Sequence, residues 1–219
     1  MRFKEEVLTR RDIETRLARV GDYVKMDFLQ QCLKKGLDFE TRRFALTTLA
    51  KIYEGRSMYL EAGKLIRIAA DINTTFDAKM QDFLKSAELY IKAGSYEESD
   101  ISMTKAFAVA NERQKVEIKV KIKESYKKQA QDFLKKDKRK HAAEAYEKLL
   151  TLDLNPLEKK EVQKTLLELY QKLGKIRDFY ALQKSIESPG IQQSRQQNSR
   201  EIKEKTSYSN NDVFSDLGI

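Results

Sequence analysis

Apolar and small residues along this chain fall at helical spacing and return in blocks of similar length. An aromatic or leucine anchor recurs at Leu17, Tyr53, Tyr90, Phe133 and Tyr170, at spacings of 36, 37, 43 and 37 residues. Four residues after each anchor stands Gly21, Ser57, Gly94, Asp137 or Gly174. Glycine suits that point because it takes the left-handed backbone that ends a helix. Nine residues after the anchors come Met26, Ala62, Ser99, Ala142 and Phe179, and seven beyond those Leu33, Ala69, Ala106, Leu149 and Ile186. Ala50, Ala87 and Ala130 lie three residues before their anchors. Small residues there let a second helix approach the first and let neighbouring units stack. Each block reads as helix A, a tight turn and helix B, so the pattern predicts an all-α fold.

One stretch pulls the other way. From Lys115 to Lys123, charged residues alternate with Val116, Ile118, Val120 and Ile122, the period of a strand. The flanking anchors favour helix, in which these residues join Tyr126, Ala130, Phe133 and Leu134 in a broad apolar stripe. The 43-residue spacing predicts that this helix is longer than its equivalents.

The columns resemble the tetratricopeptide repeat. The second block carries Leu46, Leu49, Ala50, Tyr53, Tyr59, Ala62, Ile66 and Ala69. The third carries Phe83, Ala87, Tyr90, Gly94, Tyr96, Met103 and Ala106, and the fourth keeps Tyr126, Ala130, Phe133, Ala142 and Tyr146 without the turn glycine. The first and fifth are looser, as capping repeats are. Spacings near 37 are similar to the longer-helix variants, among them the soluble attachment proteins that recruit an AAA+ ATPase to SNARE bundles. The resemblance implies a right-handed α–α superhelix of about five helical hairpins over residues 1–187.

Composition agrees with this and bounds the rest. The chain has 219 residues, 35% charged and 40% hydrophobic, with 8 Gly, 2 Pro and no Trp, which favours helix over sheet. No apolar run approaches the roughly 20 residues of a membrane span. The opening residues, Met1 to Glu6, carry no apolar signal core. A lone cysteine, Cys32, suits a reducing compartment, and the expected location is cytoplasmic. After Ser188-Pro189-Gly190 the polar residues to 219 read as a disordered tail. Its end breaks that pattern: Val213, Phe214, Leu217 and Ile219 lie among acids as a short docking motif.

The net charge is +9, and residues 111–150 hold 13 Lys/Arg against 7 Asp/Glu, six of the nine excess charges. Such an excess points to acidic partners. In tetratricopeptide arrays the concave surface is lined by helix A near the anchor. Carried over, the position two after each anchor is Arg19, Gly55, Lys92, Lys135 and Lys172, and the position six before is Arg11, Thr47, Leu84, Lys127 and Lys164. The resemblance thus implies a basic lane of Arg11, Arg19, Lys92, Lys127, Lys135, Lys164 and Lys172 facing an acidic or helical protein segment. The asparagines of a chaperone-tail carboxylate clamp are missing: Thr15, Lys51, Glu88, Gln131 and Glu168 stand in that column.

Nothing in the sequence points to catalysis, a metal or a cofactor. His141, the only histidine, sits among Lys138, Arg139 and Lys140 as a solvated surface residue, and Cys32 falls on an apolar helix face. No Walker-type loop, dinucleotide fingerprint or Cys/His cluster is present. The expected function is a non-catalytic protein-binding scaffold. The alternative is an RNA- or ribosome-associated protein using Lys115 to Lys140, and peripheral membrane association fits the same charge.

Overall fold

The computed structural model describes residues 8–187, and every regular element in them is an α-helix. These residues fall into two compact units, Met1–Asn155 and Pro156–Ile219. The expected tail, 188–219, with Val213, Phe214, Leu217 and Ile219, lies outside the described residues.

The first unit holds α1 (Arg10–Leu17), α2 (Asp22–Leu33), α3 (Phe39–Gly55), α4 (Tyr59–Asp71), α5 (Phe76–Ala93), α6 (Tyr96–Val109), α7 (Glu112–Lys135) and α8 (Arg139–Leu150). Helices adjacent in sequence pack on one another from α2 to α8, whereas α1 packs mainly on α3. The odd-numbered helices start on side-chain caps: Thr9, Asp38, Thr75 and Asn111 each accept a first-turn backbone N–H. The even-numbered ones, starting at Gly21, Met58, Ser95 and Lys138, have no side-chain cap and issue directly from a turn.

That turn is the same three times. Ser57, Gly94 and Asp137 have φ of 60°, 76° and 54°. The residue after each donates its N–H to the anchor carbonyl: Met58 to Tyr53 at 2.9 Å, Ser95 to Tyr90 at 2.9 Å and Lys138 to Phe133 at 2.8 Å. A left-handed residue followed by this six-to-one bond is the Schellman termination, which satisfies helix-end carbonyls. The first block departs from it. Gly21 has φ −76° and caps α2 instead of ending α1 in the left-handed region.

The core of this unit runs through Ile13, Leu29, Leu49, Ala62, Ile66 and Leu89, all buried. Cys32 is in it, as its apolar face predicts. Ala62, Ala69, Ala106 and Ala142 are buried, which fulfils the small-residue columns. The tightest approach is at Gly63, where an added Cβ would stand 3.2 Å from the Tyr90 ring. Helix α7 is 24 residues long, settling Lys115 to Lys123 as helix. Its buried stripe is narrow, only Ile118, Ile122, Tyr126 and Ala130, an i, i+4 row. Val116 and Val120 are 62% and 44% exposed and do not belong to it, because alternate residues of a helix point 200° apart.

Polar links tie odd helices to odd and even to even. Arg43 Nη2 lies 3.4 Å from Asp82, and Gln129 of α7 donates to the Lys92 carbonyl of α5 at 3.1 Å. On the other side, Arg67 pairs with Glu98, Lys105 with Asp71 at 3.1 Å, and Lys148 with Asp100 at 3.1 Å. Pairs this exposed contribute at most about 1 kcal/mol each; they report which helices are neighbours.

The second unit consists of α9 (Pro156–Leu173) and α10 (Ile176–Glu187), packed on each other. Its turn repeats the same geometry, with Gly174 at φ 67° and Lys175 donating to the Tyr170 carbonyl at 2.9 Å. In α9, Val162, Leu166, Leu169 and Tyr170 are buried, while α10 buries nothing completely and Ile186 is exposed.

Candidate binding surface

The first unit carries clefts of nearly equal size: one of about 590 Å³ among α1, α2 and α3, and two between successive odd helices. The α3–α5 cleft, about 570 Å³, is lined by Arg10, Glu40, Arg43, Thr47, Lys51, Glu54, Asp82 and Lys85, with Phe44, Ala50, Ile66 and Leu89. The α5–α7 cleft, about 580 Å³, is lined by Tyr59, Glu88, Lys92, Ser125, Lys128, Gln129, Asp132, Phe133, Lys136 and Lys138.

Between them stands one shared charge cluster. Glu54 Oε1 receives Lys85 Nζ and Lys92 Nζ, each at 3.0 Å. Partial burial pushes the Glu54 carboxyl up, but the hydrogen bonds and charges of the two lysines outweigh it and hold the group below the ordinary range. Glu88 shows the opposite balance. Burial dominates and raises its carboxyl, although Lys85, Lys121 and Lys92 pull it back.

The clefts differ in how their cations are used. In the α3–α5 cleft, Arg43 meets Asp82 and Lys85 meets Glu54, so most positive charge is spent internally. In the α5–α7 cleft only Lys92 is neutralised in this way. Lys128, Lys136 and Lys138 line it with no ion pair of their own. Helix α8 begins there and is the one described helix without an acid in its first turn. Arg139 there is paired with Asp137 at 2.8 Å, while Lys140 adds to the positive end of the helix dipole.

Of the seven basic residues expected on this surface, Lys92 lines a cleft and is bound to Glu54. Arg11 is exposed on α1, and Arg19 is exposed in the connection to α2. Lys127 and Lys135 are exposed on α7 outside the cleft, where Lys135 approaches Asp132 at 4.0 Å. Lys164 and Lys172 are exposed on α9 in the second unit. Leu84, in the column six before the anchor, is buried. The cleft residue on α7 is Lys128, one place beyond Lys127, and one place on a helix is a rotation of 100°. Lys85 and Lys128 share a column, five before their anchors, but Thr48 and Thr165 occupy it elsewhere. That column alone would not have found them.

Other candidate chemistry is sparse. His141 is exposed, with its ring 5.4 Å from that of Phe133. Burial raises the Cys32 thiol against the opposing charges of Lys35 and Arg16, which disfavours a reactive thiolate. Among the described residues no cluster of His, Cys, Asp or Glu could hold a metal ion, and no helix is long and apolar enough to cross a membrane. No family model and no curated protein matches this chain.

Proposed function

We propose that this chain is a non-catalytic scaffold of the tetratricopeptide kind, a right-handed superhelix of about five helical hairpins, akin to the longer-helix attachment proteins. It works in the cytoplasm and holds an acidic or helical segment of a protein partner on the face of its odd helices. The observation that carries this reading is the repeated unit itself: one turn geometry at Ser57, Gly94, Asp137 and Gly174, each four residues after its anchor. Odd helices linked side by side make a surface with successive clefts and without the convergent groups that catalysis needs.

The test is affinity capture from native lysate with the full chain and with a Lys51→Glu, Lys128→Glu, Lys136→Glu variant. All three lysines line the clefts, and none is in an ion pair. Loss of defined partners is the expected result. Identical partner sets would sink the assignment of this face.

A second reading, RNA binding, draws on the exposed Lys136, Lys138 and Lys140 at the α7–α8 turn. Against it, Tyr126 is 1% exposed and offers no base-stacking face. Absence of retention on RNA at low salt would end this alternative.

A further inference from the structure

We propose, resting on the scaffold reading, that the α5–α7 cleft is its specificity subsite: it seats one large apolar side chain of an acidic segment against Tyr59 and Phe133, while Lys128, Lys136 and Lys138 take the flanking carboxylates.

The two clefts between successive odd helices from α3 to α7 are nearly equal in volume and differ in what they can select. A ligand carboxylate entering the α3–α5 cleft finds one unpaired lysine, Lys51, and for Arg43 and Lys85 must compete with Asp82 and Glu54. Breaking such a pair offsets the new one. At the α5–α7 cleft the three lysines offer charge without that competition. Charge-assisted bonds to them are the stronger class of hydrogen bond.

The walls specify more than charge. Tyr59 and Phe133 are half-buried, Tyr59 with Lys92 Nζ 5.5 Å from its ring centre and Phe133 against His141. They are the aromatic part of a cleft otherwise lined by polar and charged side chains. A space of about 580 Å³ takes a large side chain with its flanking backbone. An aromatic residue there would bury roughly 150–250 Å².

The same walls select against a polynucleotide. Glu88 and Asp132 also line the cleft and would repel a chain charged at every unit. A peptide can set its apolar residue beside them and keep its carboxylates at the lysines. Lys92 already lies over one face of Tyr59, and His141 packs at a tilt against Phe133, which leaves less ring surface for stacked bases.

The experiment is an array of Asp- and Glu-flanked heptapeptides carrying each amino acid in turn at the centre. Binding to the full chain is read by fluorescence anisotropy, with a single-stranded RNA of equal charge as comparison. Central Phe, Tyr, Trp or Leu should bind about tenfold tighter than central Ser or Gly. Lys128→Glu with Lys136→Glu should weaken the best peptide about tenfold or more, and Lys51→Glu in the neighbouring cleft by less than about twofold. Phe133→Leu, which keeps the wall packed, should flatten the preference for aromatic centres with helix content unchanged by circular dichroism.

A flat array, equal losses from both clefts, or RNA binding tighter than every peptide would overturn the proposal. If no peptide binds but Lys51→Glu still strips partners from lysate, the subsite is wrong and the scaffold reading stands. If neither cleft's variants alter the captured set, the scaffold reading fails with it.

Discussion

Helices α5 and α7 hold equivalent places in consecutive helix pairs and end in the same turn, yet they are anchored in different ways. Helix α5 buries eight of its 18 residues, among them Phe83, Leu84, Leu89, Tyr90 and Ile91. Helix α7 buries four of 24. A fully buried large apolar side chain contributes about 1.5–3 kcal/mol, so α5 is fixed by its surroundings and α7 only along one row. The rest of α7 is free to carry lysines. One repeat geometry thus supports both a rigid centre and a charged rim, and the candidate cleft lies where the two meet.

The sharpest way to break this comparison is to truncate the two anchors. Tyr90→Ala removes a fully buried ring and should cost about 3–5 kcal/mol. Phe133→Ala, at the same repeat position but half-buried, should cost about 2 kcal/mol or less. Urea unfolding of both variants decides it, and equal losses would show that α7 is as firmly anchored as α5.

Next in size is the close approach beside Tyr90. Gly63→Ala brings a Cβ to 3.2 Å from the fully buried Tyr90 ring, which must shift to admit it, and should cost about 1–3 kcal/mol. Gly55→Ala, with nothing within 4 Å of the new methyl, should instead stabilise by up to about 1 kcal/mol. A shared sign would undo the packing argument.

The turns test whether their common shape matters equally. Gly94→Ala forces alanine into φ 76° and should cost about 1–2 kcal/mol. Ser57→Gly, relieving a side chain at φ 60°, should change stability by less than about 1 kcal/mol, on the favourable side. Thermal melts of the two variants give the answer.

The smallest effect at neutral pH concerns a hydroxyl. Tyr126 Oη is buried without a well-formed hydrogen bond, Ser99 offering only a weak one, and its ring lies 5.5 Å from that of Tyr96. Tyr126→Phe should therefore be within about 1 kcal/mol of wild type, or more stable. Burial first, and then the charge of Asp100, push the Tyr126 phenol up to about 12. An unfolded chain loses that proton near pH 10. Between those values the folded state binds more protons, so stability is intact below pH 10 and falls as pH rises towards about 12. Tyr126→Phe should move the alkaline unfolding midpoint upward; an unchanged midpoint would remove Tyr126 from that transition.

Much of this was legible in the residues. The anchors and the positions four beyond them located four left-handed turns, including two, Ser57 and Asp137, where no glycine advertises them. Gly21 misled because a glycine also serves as an N-cap, and local sequence does not say which. Lys115 to Lys123 was recoverable as helix from its flanks, but the width of its stripe was not. Both alternations bury Ile118 and Ile122, and only the helix turns Val116 and Val120 outward.

By itself, then, the sequence determined the helical hairpins, their order and four of the five turns within them. Those depend on caps, backbone conformation and spacing within a few residues. The face that could bind was decided only by tertiary structure. Lys92 reads as a free cation until Glu54, from the preceding odd helix, is brought to 3.0 Å. Lys128 enters a cleft, and Lys127 stays outside it, only once α7 settles at one rotation against α5. Charge is written residue by residue, but whether it is spent inside the fold or left for a partner depends on packing between helices more than 30 residues apart.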